Sequence, residues 1–100
     1  MEKRKILLLQ QGKIMWNSPL KLLVNLLSGT EEGNYQFSIA CIADLESRKI
    51  FPDLILVEPA AHHCVEQVRK IFGSGTRIKI MEPLAYAALN TSLLIRQIEE

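Results

Sequence analysis

No excess of either charge marks this sequence. Twelve Lys and Arg stand against eleven Asp and Glu, a formal net charge of +1. That excludes nucleic acid as the main partner, because phosphate backbones are met by a clear basic excess. The one basic cluster, Lys3-Arg4-Lys5, reads as the solvated start of a first strand. Cysteine is scarce: Cys41 and Cys64 are too few for a disulfide framework and read as free thiols. No apolar run approaches the roughly 20 residues of a membrane-spanning helix. The run over 6–9 is also far shorter than the roughly 7–15 apolar residues at the heart of a secretion signal. These absences point to a cytoplasmic protein with no membrane insertion. Spaced metal-ligand pairs are missing too. His62-His63-Cys64 are adjacent, whereas zinc ligands come as pairs such as C-x2-C or H-x3-H. Neither a metal nor a cofactor is expected.

What is present is ordinary globular material. At 48% hydrophobic and 23% charged residues, the 100-residue chain supports one core and one domain over 1–100. The continuous apolar run over 6–9 predicts a strand covered on both faces. Asn17-Ser18-Pro19 then predicts a helix start, with Asn17 or Ser18 as cap and Pro19 in the first turn. Leu20, Leu23, Val24 and Leu27 follow at helical spacing, and Leu22 and Leu26 are expected to widen the buried stripe. A polar turn at Glu31-Glu32-Gly33-Asn34 leads to a second strand over 35–42. A short helical piece over 44–49, capped by Asp44, precedes a third strand over 54–57. A second helix is expected over 63–72, and a fourth, half-solvated edge strand over 77–81. A loop over 82–90, with one helical turn near 84–88, leads to a last helix that starts near Asn90 and turns Leu93, Leu94 and Ile98 inward.

Alternating strands and helices of these lengths predict a three-layer α/β sandwich. Its four-stranded sheet is expected to be parallel, with right-handed crossovers. Ligands of such sheets sit beyond the carboxyl ends of the strands, where the strand order reverses. The loops over 10–18, 58–63 and 82–90 leave those ends and are the candidate site. The first loop holds Gln10, Gln11, Gly12, Lys13 and Ser18, which are candidates for holding an anion. Lys13 offers an ammonium group to it. The neighbouring loops contribute Pro59, His62, His63, Pro83 and Tyr86. A phospho-receiver fold is disfavoured, because its third strand must end in an acceptor Asp and this one ends in Val57-Glu58-Pro59.

Four segments carry a resemblance: "ILLLQ" before the first loop, "SPLKLL" opening the first helix, "LILVEPAAHH" at the third strand, and "IKIMEPLAYAALNTSLLI" from the fourth strand to the last helix. Over its whole length the chain resembles the enzyme IIB components of the bacterial sugar phosphotransferase system, lactose/cellobiose/chitobiose class. Pro59, Pro83 and Tyr86 are the most specific points. The resemblance implies the strand order 2134 and a cytoplasmic phosphoryl relay in sugar uptake. A IIA partner's histidine phosphorylates a cysteine on the first loop, and the group passes to a sugar held by the membrane IIC partner. Backbone amides of the loop would cradle the phosphate.

The chain departs from that pattern where the chemistry lies. Register puts Gln10 at the cysteine position, and the loop is about three residues longer than the family's. An amide side chain donates and accepts hydrogen bonds but is no phosphoryl acceptor. The expectation is therefore a degenerate IIB-like protein with no intact nucleophile. The alternative is a regulatory or protein-binding IIB-like domain, as in phosphotransferase-linked transcription regulators, which would partner a regulatory protein rather than IIA and IIC. Cys64, at a helix start, and His63 are the remote substitutes for the acceptor. Cys41 reads as a small buried hydrophobe. Met15-Trp16 either packs on the protein itself or forms a partner surface.

Overall fold

Apolar segments too short to be helices form the centre of the molecule. The computed structural model describes residues 3–30, 34–47 and 51–100. Its strands are β1 (Arg4–Gln10), β2 (Tyr35–Cys41), β3 (Leu54–Val57) and β4 (Arg77–Ile80). All pair in parallel in the order β2-β1-β3-β4, the order implied by the family resemblance. β1 and β3 lie in the middle and are buried on both faces, which is why they show no apolar–polar alternation. Ile6 and Leu8 of β1, with Leu54 and Leu56 of β3, face one core; Leu7, Leu9, Ile55 and Val57 face the other.

The first core is closed by α1 (Pro19–Thr30), α3 (Pro83–Ala87) and α4 (Thr91–Glu99). The second is closed by α2 (Val65–Phe72) and by two 3-10 segments, Ile42–Ser47 and Pro59–Cys64. Three layers result. On α1, Leu20, Leu23 and Leu27 are fully buried, but Leu22 and Leu26 are exposed. The expected widening of the stripe fails because Leu22 and Leu26 each stand one residue before a buried leucine, about 100° round the helix from it, on a flank that no other layer covers. The helical piece expected over 44–49 is the 3-10 segment Ile42–Ser47, with Asp44 inside its first turn rather than capping it. Residues 48–50 and Glu31-Glu32-Gly33 lie outside the described residues.

The second helix starts at Val65, two residues later than expected. The stretch before it coils as 3-10 with a kink at Ala61 (φ −102°, ψ 17°). Gly73 ends α2 at φ 90°, a conformation glycine adopts without strain. On β4, Ile78 is half-buried and Ile80 exposed. The last helix is capped as the sequence suggests, with Asn90 Oδ1 accepting the Leu93 N–H at 3.2 Å. It buries Leu94, Ile95 and Ile98, while Leu93 is half-buried.

Two polar devices finish the sheet. At the amino ends of the strands, the Lys5 N–H donates to Asp53 Oδ2 at 2.7 Å and the Asp53 N–H to the Lys5 carbonyl at 2.8 Å. At the end of β4, Gln97 reaches across from α4. Its Oε1 accepts the Glu82 N–H at 3.0 Å, and its Nε2 donates to the Ile80 carbonyl at 2.6 Å. Among the described residues no helix is long and apolar enough to cross a membrane.

Candidate functional site

β1 leads to α1 on one face of the sheet, and β3 leads to α2 on the other. The crevice between the carboxyl ends of β1 and β3 is therefore the switch point where parallel α/β sheets hold ligands. All three predicted loops meet there. Pro59 and Pro83 each open their segment at the first helical positions, where the missing N–H is no loss.

One carboxylate ties the three loops together. Glu58, the residue after β3, accepts the Gln11 N–H on Oε1 at 3.0 Å and the Tyr86 hydroxyl on Oε2 at 3.0 Å. Its own N–H donates to the Leu9 carbonyl at 2.9 Å, extending the β1–β3 ladder. Tyr86 is half-buried on α3. Its phenol is pushed up to about 12 from 10.0, first by burial, then by the hydrogen bond to Glu58 and by that group's charge. Tyr86 is thus a standing donor over the whole physiological range.

The first loop is held from within. Gln10 is 7% exposed and lies on the same face of β1 as Ile6 and Leu8. Its Nε2 donates to the carbonyls of Gly12 and Lys13, each at 2.9 Å. Ser18 is buried just before α1, but its hydroxyl does not cap the helix: Oγ accepts the Met15 N–H at 2.8 Å. Asn17, the other expected cap, is exposed. The glutamine and the serine act as struts that give the loop a fixed shape. Gln11, Gly12 and Lys13 are exposed around it. So are Met15 and Trp16, with Trp16 79% exposed; of the two expected roles for this pair, packing on the protein itself is not the one seen. Leu84, on α3 at the same edge, is 73% exposed.

Comparison with known proteins bears on this edge. No family model matches the chain, and no curated protein does. Among solved structures, the lactose-specific IIB component domain of the phosphoenolpyruvate:carbohydrate phosphotransferase system from Streptococcus pneumoniae superposes with a TM-score of 0.72. The match covers 98% of this chain and 97% of that one at 17% sequence identity. The fold is that of a phosphotransferase IIB domain. At that identity the likeness is one of architecture, and it spans the whole chain.

The remaining candidates occupy unequal places in the IIB fold. Cys64 ends the 3-10 segment and packs in the second core with Leu7, Leu9, Val57, Ala61 and Val68. A thiol in that setting faces hydrocarbon rather than a partner. His62 and His63 are exposed and meet edge-to-face at 5.7 Å; His62 Nδ1 lies 3.0 Å from the Pro59 carbonyl. Among the described residues no three His, Cys, Asp or Glu groups converge as a metal would need. Glu82 accepts the Leu84 N–H at 3.1 Å and so caps α3.

Cys41 holds a surprise. It is buried as expected, but it is the ladder partner of Gln10, and its Sγ donates to Asp44 Oδ2 at 3.1 Å. Sequence reasoning passed over both this pair and the central role of Glu58. The partners of Glu58 are 47 and 28 residues away, beyond the reach of any local motif.

Proposed function

We propose that this chain is a IIB-like protein that has given up phosphoryl transfer and kept partner binding at the carboxyl edge of its sheet. The observation that carries this reading is the state of Gln10. It ends β1, where the resemblance puts the family's cysteine. It offers no group able to accept phosphorus, and both donors of its amide nitrogen are engaged in bracing the loop. The exposed Met15, Trp16 and Leu84 on the same edge suit a protein partner, since indole and thioether side chains are rich sources of contact area. That partner is a IIA or IIC component of a cytoplasmic sugar relay, or a regulatory protein.

The test uses the intact chain with phosphoenolpyruvate, the general phosphotransferase proteins and a IIA component. We expect no mass gain of one phosphoryl group. Trp16 is the chain's one tryptophan, so its emission reports docking directly. A blue shift on titration with IIA or with a phosphotransferase-linked regulator is the expected result. A mass gain abolished by Cys41→Ser, His63→Ala or Cys64→Ser would overturn the loss of transfer and name the acceptor. Trp16 emission unmoved by both kinds of partner would overturn the docking role.

A further inference from the structure

The switch-point crevice of a parallel α/β sheet ordinarily receives a ligand from solution, and backbone amides at its rim favour anions. Here the crevice already contains an anion that belongs to the chain. Glu58 stands at the carboxyl end of β3, and both of its oxygens take donors from other loops: the Gln11 N–H from the loop after β1 and the Tyr86 hydroxyl from α3. These two donors come from segments that no other described side-chain bond joins. The bonds are charge-assisted, of the kind a bound oxyanion would make with the same groups. Around them the loop is pre-shaped by Gln10 and Ser18, so its geometry does not wait for a ligand.

We propose that Glu58 is a resident anion: its carboxylate fills the place of a small oxyanion of the phosphate class, and the native chain holds its first loop permanently in the anion-loaded arrangement. A partner that recognises this edge would then meet one loop shape whatever the phosphate level. Removing the carboxylate frees the Gln11 N–H and the Tyr86 hydroxyl together and opens the crevice to phosphate. The inference rests on the reading of this edge as the working face. The two fail differently, because loss of that reading shows as a covalent mass gain or a silent Trp16, and loss of this one shows as reversible phosphate binding.

The experiment is a titration with inorganic phosphate at constant ionic strength, following the backbone amide shifts of Gln11, Gly12 and Lys13. In native protein these amides are expected not to move. In Glu58→Ala they should shift in a saturable way, with the Gln11 amide moving most. Glu58→Gln, which keeps the shape and loses the charge, should stay closed to phosphate. Circular dichroism confirms that each variant is folded, and Glu58→Ser replaces Glu58→Ala if the alanine variant does not fold. Saturable shifts in native protein would overturn the proposal by themselves. So would a folded Glu58→Ala or Glu58→Ser whose loop amides ignore phosphate, or a Glu58→Gln that binds it as well as the alanine variant.

Discussion

The central strands β1 and β3 are clamped at both ends by the same device. At the amino end Asp53 accepts the Lys5 N–H and returns its own N–H to the Lys5 carbonyl. At the carboxyl end Glu58 accepts the Gln11 N–H and returns its own N–H to the Leu9 carbonyl. The two ends then part. Asp53 is exposed and joins only the two strands it flanks, whereas Glu58 is half-buried and draws in Tyr86 from a third segment. The carboxyl end also carries the braced loop and the exposed Trp16 and Leu84. A clamp alone is architecture. A clamp that gathers three loops at the switch point suits the working edge proposed above, with Glu58 in the place of the ligand.

The bluntest way to break this comparison is to remove what both ends share. Leu56 of β3 is fully buried in the first core. Leu56→Ala should destabilise the protein by about 2–5 kcal/mol through lost burial and a residual cavity. Urea unfolding should show both ends lost in one transition. A variant that keeps native stability would mean that the core carries less of the fold than its burial implies.

A sharper cut separates the ends. Tyr86→Phe removes one of the two donors to Glu58 and should lower stability by about 1 kcal/mol at neutral pH. Its clearer signature lies in alkali. The native phenol titrates near 12 and the unfolded one near 10. Between those values the unfolded chain has lost a proton that the folded chain keeps, so stability falls as pH rises from about 10 to about 12. Below that window Tyr86 adds no pH dependence. The Tyr86→Phe variant should lack this part of the slope when its stability–pH profile is subtracted from the native one. Identical alkaline profiles would remove Tyr86 from the clamp.

The smallest effect belongs to the amino end. Asp53→Asn keeps an acceptor for the Lys5 N–H on an exposed group and should change stability by about 0.5 kcal/mol or less. The Gln11 amide shift should stay where it is. A movement of that signal would show that the two clamps communicate along the strands, and the contrast between them would need redrawing.

How much of this was legible in the sequence follows from the range of the forces involved. β3 could be read to the residue because an unbroken apolar run between Pro52-Asp53 and Glu58-Pro59 leaves a buried strand little choice of limits. The start of α1 was fixed by Pro19. Parallel pairing followed from alternation of elements and handedness, whereas the strand order came with the family resemblance. The start of α2 was misjudged because apolar spacing alone does not separate a 3-10 turn from the helix it enters, and the kink at Ala61 has no sequence signal. Leu22 and Leu26 were misread because hydrophobicity tells what a side chain prefers, not which faces have neighbours. At the site, the three loops were in view, and Gln10 was singled out as an anion-holding candidate, but its role as a buried strut was not. Nor was the hub: Glu58 figured only as the residue that ends the third strand, since the chain must fold before its partners arrive.

The side chain of Gln97 has a bearing on how the molecule behaves in company. The Ile80 carbonyl and the Glu82 N–H, both taken by that one amide, lie at the open margin of β4. A primary amide presents the same acceptor and donor as a peptide unit, so Gln97 serves as one link of a strand that is not there. An incoming chain seeking to add itself to the sheet finds its first hydrogen bonds already made. Together with the charges of Arg77 and Lys79, Gln97 thereby discourages self-association through β4, at a place where Ile80 would otherwise invite it.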